Sequence, residues 1–381
     1  PDALARLTRS LIISCRSLVL SFSRSLVLSF ARGPTINLYE EIERSWHTRI
    51  GRSLSAAGPS SASSASSASR TILSTEVVLD LISMNEESIS RAVQLPPAIV
   101  KRRGLIHSLF CDVTPDTAGD SSLLDFVGTY VERQMTEIAE QSLRSLQTNS
   151  VIWTSSATSA GIERVVDETL GRLLACAGAA SEIVSLVKQH HKTHIEPHLD
   201  PQLASDSRRA LQAFQRAVEH QVSSMLERSI QTLTLKIRDL MYLLQKKSDF
   251  LVSDDQASAT ITRAFRQVCS LVSALSPVVG RTLSPANRAA YWMEFTVKLK
   301  ETLEQHILRY RYTRHGGLQL QYDINAVRAA VALSRGGTSL AEIMALSNLT
   351  IVEEGAVNEV SHSLSYLGVE RVQAWAALRA A

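Results

Sequence analysis

The stretch "LQAFQRAVEHQVSSMLERSIQTLTLKIRDLMYLL", Leu211–Leu244, carries apolar side chains at Leu211, Phe214, Val218, Met225, Leu226, Leu233, Ile237, Leu240, Met241 and Leu244. Steps dominated by three, four and seven residues, with no Gly or Pro between, place them on one stripe of an amphipathic helix. Such a helix exceeds the usual three or four turns, so its apolar face must be covered by other helices.

The same period extends outward. Leu124, Val127, Val131, Met135, Ile138 and Leu143 form one stripe, and Ile162, Val165, Val166, Leu170, Leu173 and Leu174, resuming at Ile183, Val184 and Val187, form another. Further helices are expected near Ala257–Leu275, Pro285–Tyr310, Tyr322–Ser334, Leu340–Ser347 and Gly355–Leu378. Ser284 followed by Pro285 is the N-cap and first-turn pairing that opens a helix. Aromatic content is only 5% and glycine is sparse, which suits stacked helices better than a sheet. The expected fold class is therefore all-α: antiparallel helical hairpins stacked into an elongated bundle.

Composition divides the chain. Residues 1–70 hold a near-repeated octapeptide, Cys15–Phe22 then Ser23–Phe30, and the Ser/Ala tract Ser53–Ser69, and are expected to be a disordered or artefactual leader and linker. Arg16 and Arg24 make the early apolar run a poor membrane span, and the chain opens on Pro1 rather than Met, so a missing upstream motif excludes little. A helical bundle is expected over 71–200 and C-terminal bundles over 201–381. The break "CDVTPDTAGDSS", Cys111–Ser122, offers Asp120 or Ser121 as a helix cap.

Forty basic against thirty-seven acidic residues give a formal charge of +3, so no global field draws the chain to nucleic acid or an acidic substrate. Cys15, Cys111, Cys176 and Cys269 form no CxxC pair, which argues against a disulfide framework or a cysteine zinc site. No GxSxG elbow is present, and the adjacent pairs Glu40–Glu41, Glu86–Glu87 and Glu353–Glu354 point apart on a helix, as solvated faces do.

Three stretches could carry chemistry. In "KQHHKTHIEPHLD" the imidazoles of His190, His194 and His198 recur every four residues, a spacing that can bind zinc. Pro197 should end the helix before His198 and HEXXH is missing, so a polar helix end is the preferred reading. The basic runs "VKRRG", Val100–Gly104, and "RYRYTRH", Arg309–His315, could grip phosphates. Arg309, Arg311 and Arg314 are the candidates for anionic lipid, although basic residues near a helix end also complement its dipole. Gly316-Gly317 lacks both the lysine and the spacing of a phosphate loop. It is expected to cap the end of one helix before Asp323 opens the next as N-cap or first-turn acid, while "LQLQY" between them alternates like a strand or begins that helix.

The segments "HGGLQLQYDINAVRAAV", "LAEIMALSNLTIVEEGAVNEV" and "VQAWAALRA" together resemble the end of exocyst complex component five, over about Tyr291–Ala381. The matching positions are Gly316, Gly317 and Asp323, then Leu346, Ser347, Asn348 and Leu349 with Val352, and the tail from Val372 to Leu378 and Arg379. Val327 stands where the family usually has an aromatic, and Ala380 where an acid usually follows the arginine. Fungal recyclin-type F-box proteins share this kind of C-terminal region.

The resemblance implies a non-enzymatic vesicle-tethering subunit with a CATCHR-like helical fold and no cofactor. Its expected partners are other exocyst subunits, reached through coiled-coil-like helix packing, with small GTPases and anionic lipid as further ones. It would work in the cytoplasm, peripherally on plasma membrane and secretory vesicles, on neither nucleic acid nor a small molecule. The alternatives are a recyclin-like F-box adaptor in endosomal recycling and a metal-dependent enzyme using His190, His194 and His198.

Overall fold

The computed structural model describes residues 73–94, 102–111, 122–148, 159–251, 260–333 and 340–380. The leader, the Ser/Ala tract, Asp120 and Ser121 lie outside them. Among the described residues there are eleven α-helices: α1 Thr75–Val93, α2 Arg102–Phe110, α3 Leu123–Thr148, α4 Ser159–His190, α5 Pro201–Leu244, α6 Arg263–Thr282, α7 Pro285–Ile307, α8 Arg314–Leu333, α9 Ala341–Ile351, α10 Val357–Ser363 and α11 Val369–Ala376. The all-α expectation holds; the extended pairing among these residues is one bridge, Tyr312 with Arg379.

The Leu211–Leu244 stripe lies in α5, a helix of 44 residues. Leu211, Phe214, Val218, Met225, Leu233, Ile237, Leu240 and Met241 are all buried. Burial of each such side chain contributes about 1.5–3 kcal/mol, which outweighs its propensity term of less than about 1 kcal/mol. α4 is one uninterrupted helix of 32 residues. Its length and apolar content would suffice to cross a membrane, yet Val166, Leu170, Leu173, Leu174 and Ile183 pack inside the protein.

Two compact units share these helices. One comprises the described residues up to Thr136 together with Ala179–Val222. Its interior gathers Val78, Leu81 and Ile89 of α1, Ile106 and Phe110 of α2, Val127 and Val131 of α3, Ile183 and Val187 of α4, and Ile195. Ser122 takes the capping role, accepting the Asp125 N–H at 3.3 Å.

The second unit comprises Glu137–Gly178 and the chain from Ser223 onward. Phe265, Val268, Leu271 and Leu275 of α6, Tyr291, Phe295, Leu299 and Leu303 of α7, Ile324 and Val327 of α8, Ile343, Leu346 and Leu349 of α9 and Trp375 of α11 are buried in it. Ser284 caps α7 as expected, its side chain accepting from the Asn287 N–H, with Pro285 in the first turn.

Two expectations are corrected here, and the open reading of "LQLQY" is decided for a helix. α7 stops at Ile307 and α8 starts at Arg314, so the glycine pair lies in the first turn of a helix instead of closing one. The alternating "LQLQY" is helical, with Leu320, Ile324, Val327 and Val331 on the buried face; alternation over five residues is too short to outweigh that period. The single helix expected over Gly355–Leu378 is broken into α10 and α11 at Gly368, whose φ of 102° is left-handed backbone that glycine adopts without steric cost.

Candidate functional site

Two constellations hold the residues singled out in the sequence. The first surrounds the start of α8. Between α7 and α8 the chain is extended at Tyr312, whose N–H donates to the Leu378 carbonyl at 2.9 Å while the Ala380 N–H donates back to the Tyr312 carbonyl at 2.8 Å. On the other side the Thr313 N–H donates to the Phe250 carbonyl at 3.1 Å, and the Phe250 and Tyr312 rings meet with centroids 4.8 Å apart. Thr313 is the actual N-cap: its hydroxyl accepts the Gly316 N–H at 3.1 Å.

Close approach explains both glycines. A Cβ on Gly316 would overlap the Phe250 carbonyl, 2.5 Å from its carbon, and one on Gly317 would stand 2.6 Å from both Ile351 Cγ2 and Thr350 Oγ1. The pair therefore lets α8 start hard against the Phe250 backbone and the end of α9.

Asp323 is a cap, but of a different helix. It sits inside α8, fully buried. Oδ1 accepts the Thr262 N–H and Oδ2 the Thr262 hydroxyl, both at 2.8 Å, at the residue that precedes α6. Gln319 joins it, donating to the Thr260 carbonyl at 2.7 Å. Burial raises the Asp323 carboxyl to about 7, against the pull of the Thr262 and Gln319 hydrogen bonds. Burial and the same carboxylate push the Cys269 thiol up to about 12, so it is no thiolate at neutral pH and the pair is not a nucleophile with its base.

The remaining family-matching positions close around this joint. Leu346 and Leu349 are buried in α9, Asn348 accepts the Gln321 side-chain amide at 2.8 Å, and Arg379 donates to the Val352 carbonyl at the end of α9. Arg371 of α11 forms a two-pronged pair with Glu304 of α7, at 2.5 and 2.8 Å, and reaches Glu342 of α9 at 3.0 Å. Trp375 Nε1 donates to the same Glu304 at 3.2 Å.

The lipid candidates have intramolecular partners. Arg309 lies over the Tyr242 ring, 3.7 Å from its centroid, Arg311 donates to the Ala377 carbonyl, and Arg314 pairs with Glu353 at 3.5 Å. In the other basic run Arg103 pairs with Asp200; Val100 and Lys101 lie outside the described residues.

The second constellation lies where α4 ends. The chain leaves α4 through a π-helical turn, His191–Ile195, and a 3-10 turn, Glu196–His198, with Pro197 inside it. His190 and His194 come together, rings stacked with centroids 5.5 Å apart, and meet Glu86 of α1 rather than His198. One ligand atom from each of Glu86, His190 and His194 lies within 4.8 Å of the others. Sequence spacing alone could not find Glu86, which α1 brings from about a hundred residues away.

A family model described as "Exocyst complex component Sec10-like, alpha-helical bundle" matches residues 31–380. No curated protein shows a significant match to the chain.

Proposed function

We propose that this chain, which belongs to the Sec10-like exocyst family, works as a non-catalytic vesicle-tethering subunit that assembles with other exocyst subunits by helix-on-helix packing. The observation that carries this reading is the family match over residues 31–380. The use of the matching residues supports it: Gly316, Gly317, Asp323, Leu346, Leu349 and Arg379 serve close helix contact, capping and burial. Met293 and Val297 on α7, and Leu318 and Tyr322 on α8, are exposed apolar pairs one turn apart, the spacing a partner helix would use.

In this reading the chain is cytoplasmic and acts peripherally where secretory vesicles meet the plasma membrane. The C-terminal resemblance favours component five within the complex. Contact with anionic lipid through Arg309, Arg311 and Arg314 ranks below partner packing, because each guanidinium already has a partner.

The test is co-purification. Tagged chain expressed with the other exocyst subunits should bring them down, and replacing Met293 and Tyr322 by Glu should weaken capture while helicity is retained. Recovery of none of them would end the tethering reading, and an F-box in the upstream coding sequence would move it to a recyclin-type adaptor.

A further inference from the structure

We propose that Glu86, His190 and His194 form a binding site for a zinc-type divalent ion, which clamps α1 to the end of α4. Glu86 Oε1 lies 3.4 Å from His190 Nδ1 and 3.3 Å from His194 Nε2. Tetrahedral zinc with bonds of about 2.0–2.1 Å places its ligand atoms about 3.3 Å apart, so two edges of such a site already exist. The three ligand atoms lie within 4.8 Å of one another, and closing the third edge to zinc distance requires a shift of His194, whose side chain is 47% exposed.

An independent observation concerns the buried member. Asn85 donates its Nδ2 to the Leu109 carbonyl at 3.0 Å, which fixes its amide with Oδ1 toward His190 Nε2, 2.9 Å away. Nε2 therefore carries the imidazole proton and donates it. The neutral ring then turns the bare lone pair of Nδ1 toward Glu86. His190 is only 3% exposed, and its Nδ1 faces Glu86 Oε1 at 3.4 Å.

A lone pair facing a carboxylate oxygen at that distance is repulsive unless a cation or a proton lies between them. Asn85 then orients a ligating imidazole through its far nitrogen, as outer partners of zinc ligands do. Two imidazole nitrogens and one carboxylate oxygen match zinc chemistry, and the half-exposed Glu86 and His194 leave the fourth position to water.

The experiment uses the full 381-residue chain, stripped with chelator and titrated with Zn2+ by calorimetry, with metal content and thermal unfolding measured in parallel. One equivalent should bind and raise Tm, and Co2+ in its place should show the visible bands of a tetrahedral site. Glu86→Gln and His194→Ala change half-exposed positions; with far-UV circular dichroism unchanged, both should lose the equivalent and the Tm gain. His198→Ala should keep them. Absence of stoichiometric binding in the parent, or its retention in both Glu86→Gln and His194→Ala, overturns the site.

Discussion

Asp323 caps a helix whose N-cap residue, Thr262, lies 61 residues before it in sequence: its two carboxylate oxygens take the Thr262 N–H and hydroxyl, both at 2.8 Å. One buried acid thus ties the middle of α8 to the start of α6. Asp323→Ala would leave the Thr262 N–H unsatisfied and should cost about 1–3 kcal/mol, measured by urea unfolding.

Stability around this contact should depend on pH. The folded Asp323 carboxyl titrates near 7, raised by burial from 3.8. Between those values the native state holds a proton that the unfolded chain has released, so its contribution is full below about 4 and is lost as pH rises through 7. Asp323→Asn cannot titrate. Its stability relative to the parent should improve from pH 5 to pH 8 by about 2–3 kcal/mol, and an unchanged difference would place the titration elsewhere.

His306 should act with the opposite sign. It is 1% exposed, neither ring nitrogen has a hydrogen-bond partner, and burial lowers it from 6.5 to about 4. Between those values only the unfolded chain binds the proton, so this contribution is lost as pH falls from 6.5 toward 4. The stability advantage of His306→Leu over the parent should therefore grow by about 1–2 kcal/mol from pH 7.5 to pH 5, read from paired denaturation curves.

Glycine substitutions should divide by contact. Alanine in a helix interior is favoured over glycine by about 1 kcal/mol. Gly280 in α6 has open space around an added Cβ, so Gly280→Ala should stabilise by up to about that amount. Gly316→Ala would drive a methyl group into the Phe250 backbone and should destabilise by about 2 kcal/mol or more, the clash outweighing the propensity gain. Equal shifts for the two variants in a urea titration would contradict the close approach.

Arg371→Lys should behave as a disruptive change. The guanidinium serves Glu304 through two nitrogens and Glu342 through a third, and its side chain is only 26% exposed. An ammonium cannot reproduce that fork, so a loss of about 1–3 kcal/mol is expected. A double-mutant cycle with Glu304→Gln would isolate the pair, and a coupling near zero would show that it contributes nothing.

The sequence by itself determined the helical class and the apolar stripes, because a 3.6-residue period is a local property and every buried stripe residue repeats it. Leu124, Val127, Val131 and Met135, like Leu211, Phe214 and Val218, are inside as their spacing demands. The Ser284–Pro285 helix start is equally local, since cap and capped N–H are three residues apart. Gly316, Gly317 and Asp323 were visible as marks of identity, but their work was not. A glycine in "HGG" reads as a stop until Phe250 and Thr350 approach it. Asp323 reads as a local cap until Thr262 arrives from another helix. Likewise the spacing of His190, His194 and His198 read as a polar helix end, and nothing in it could bring Glu86 beside the first two imidazoles as the structure does. Contacts between helices depend on which turns meet across the core, and only the tertiary structure decided that, because packing joins residues by proximity rather than by spacing along the chain.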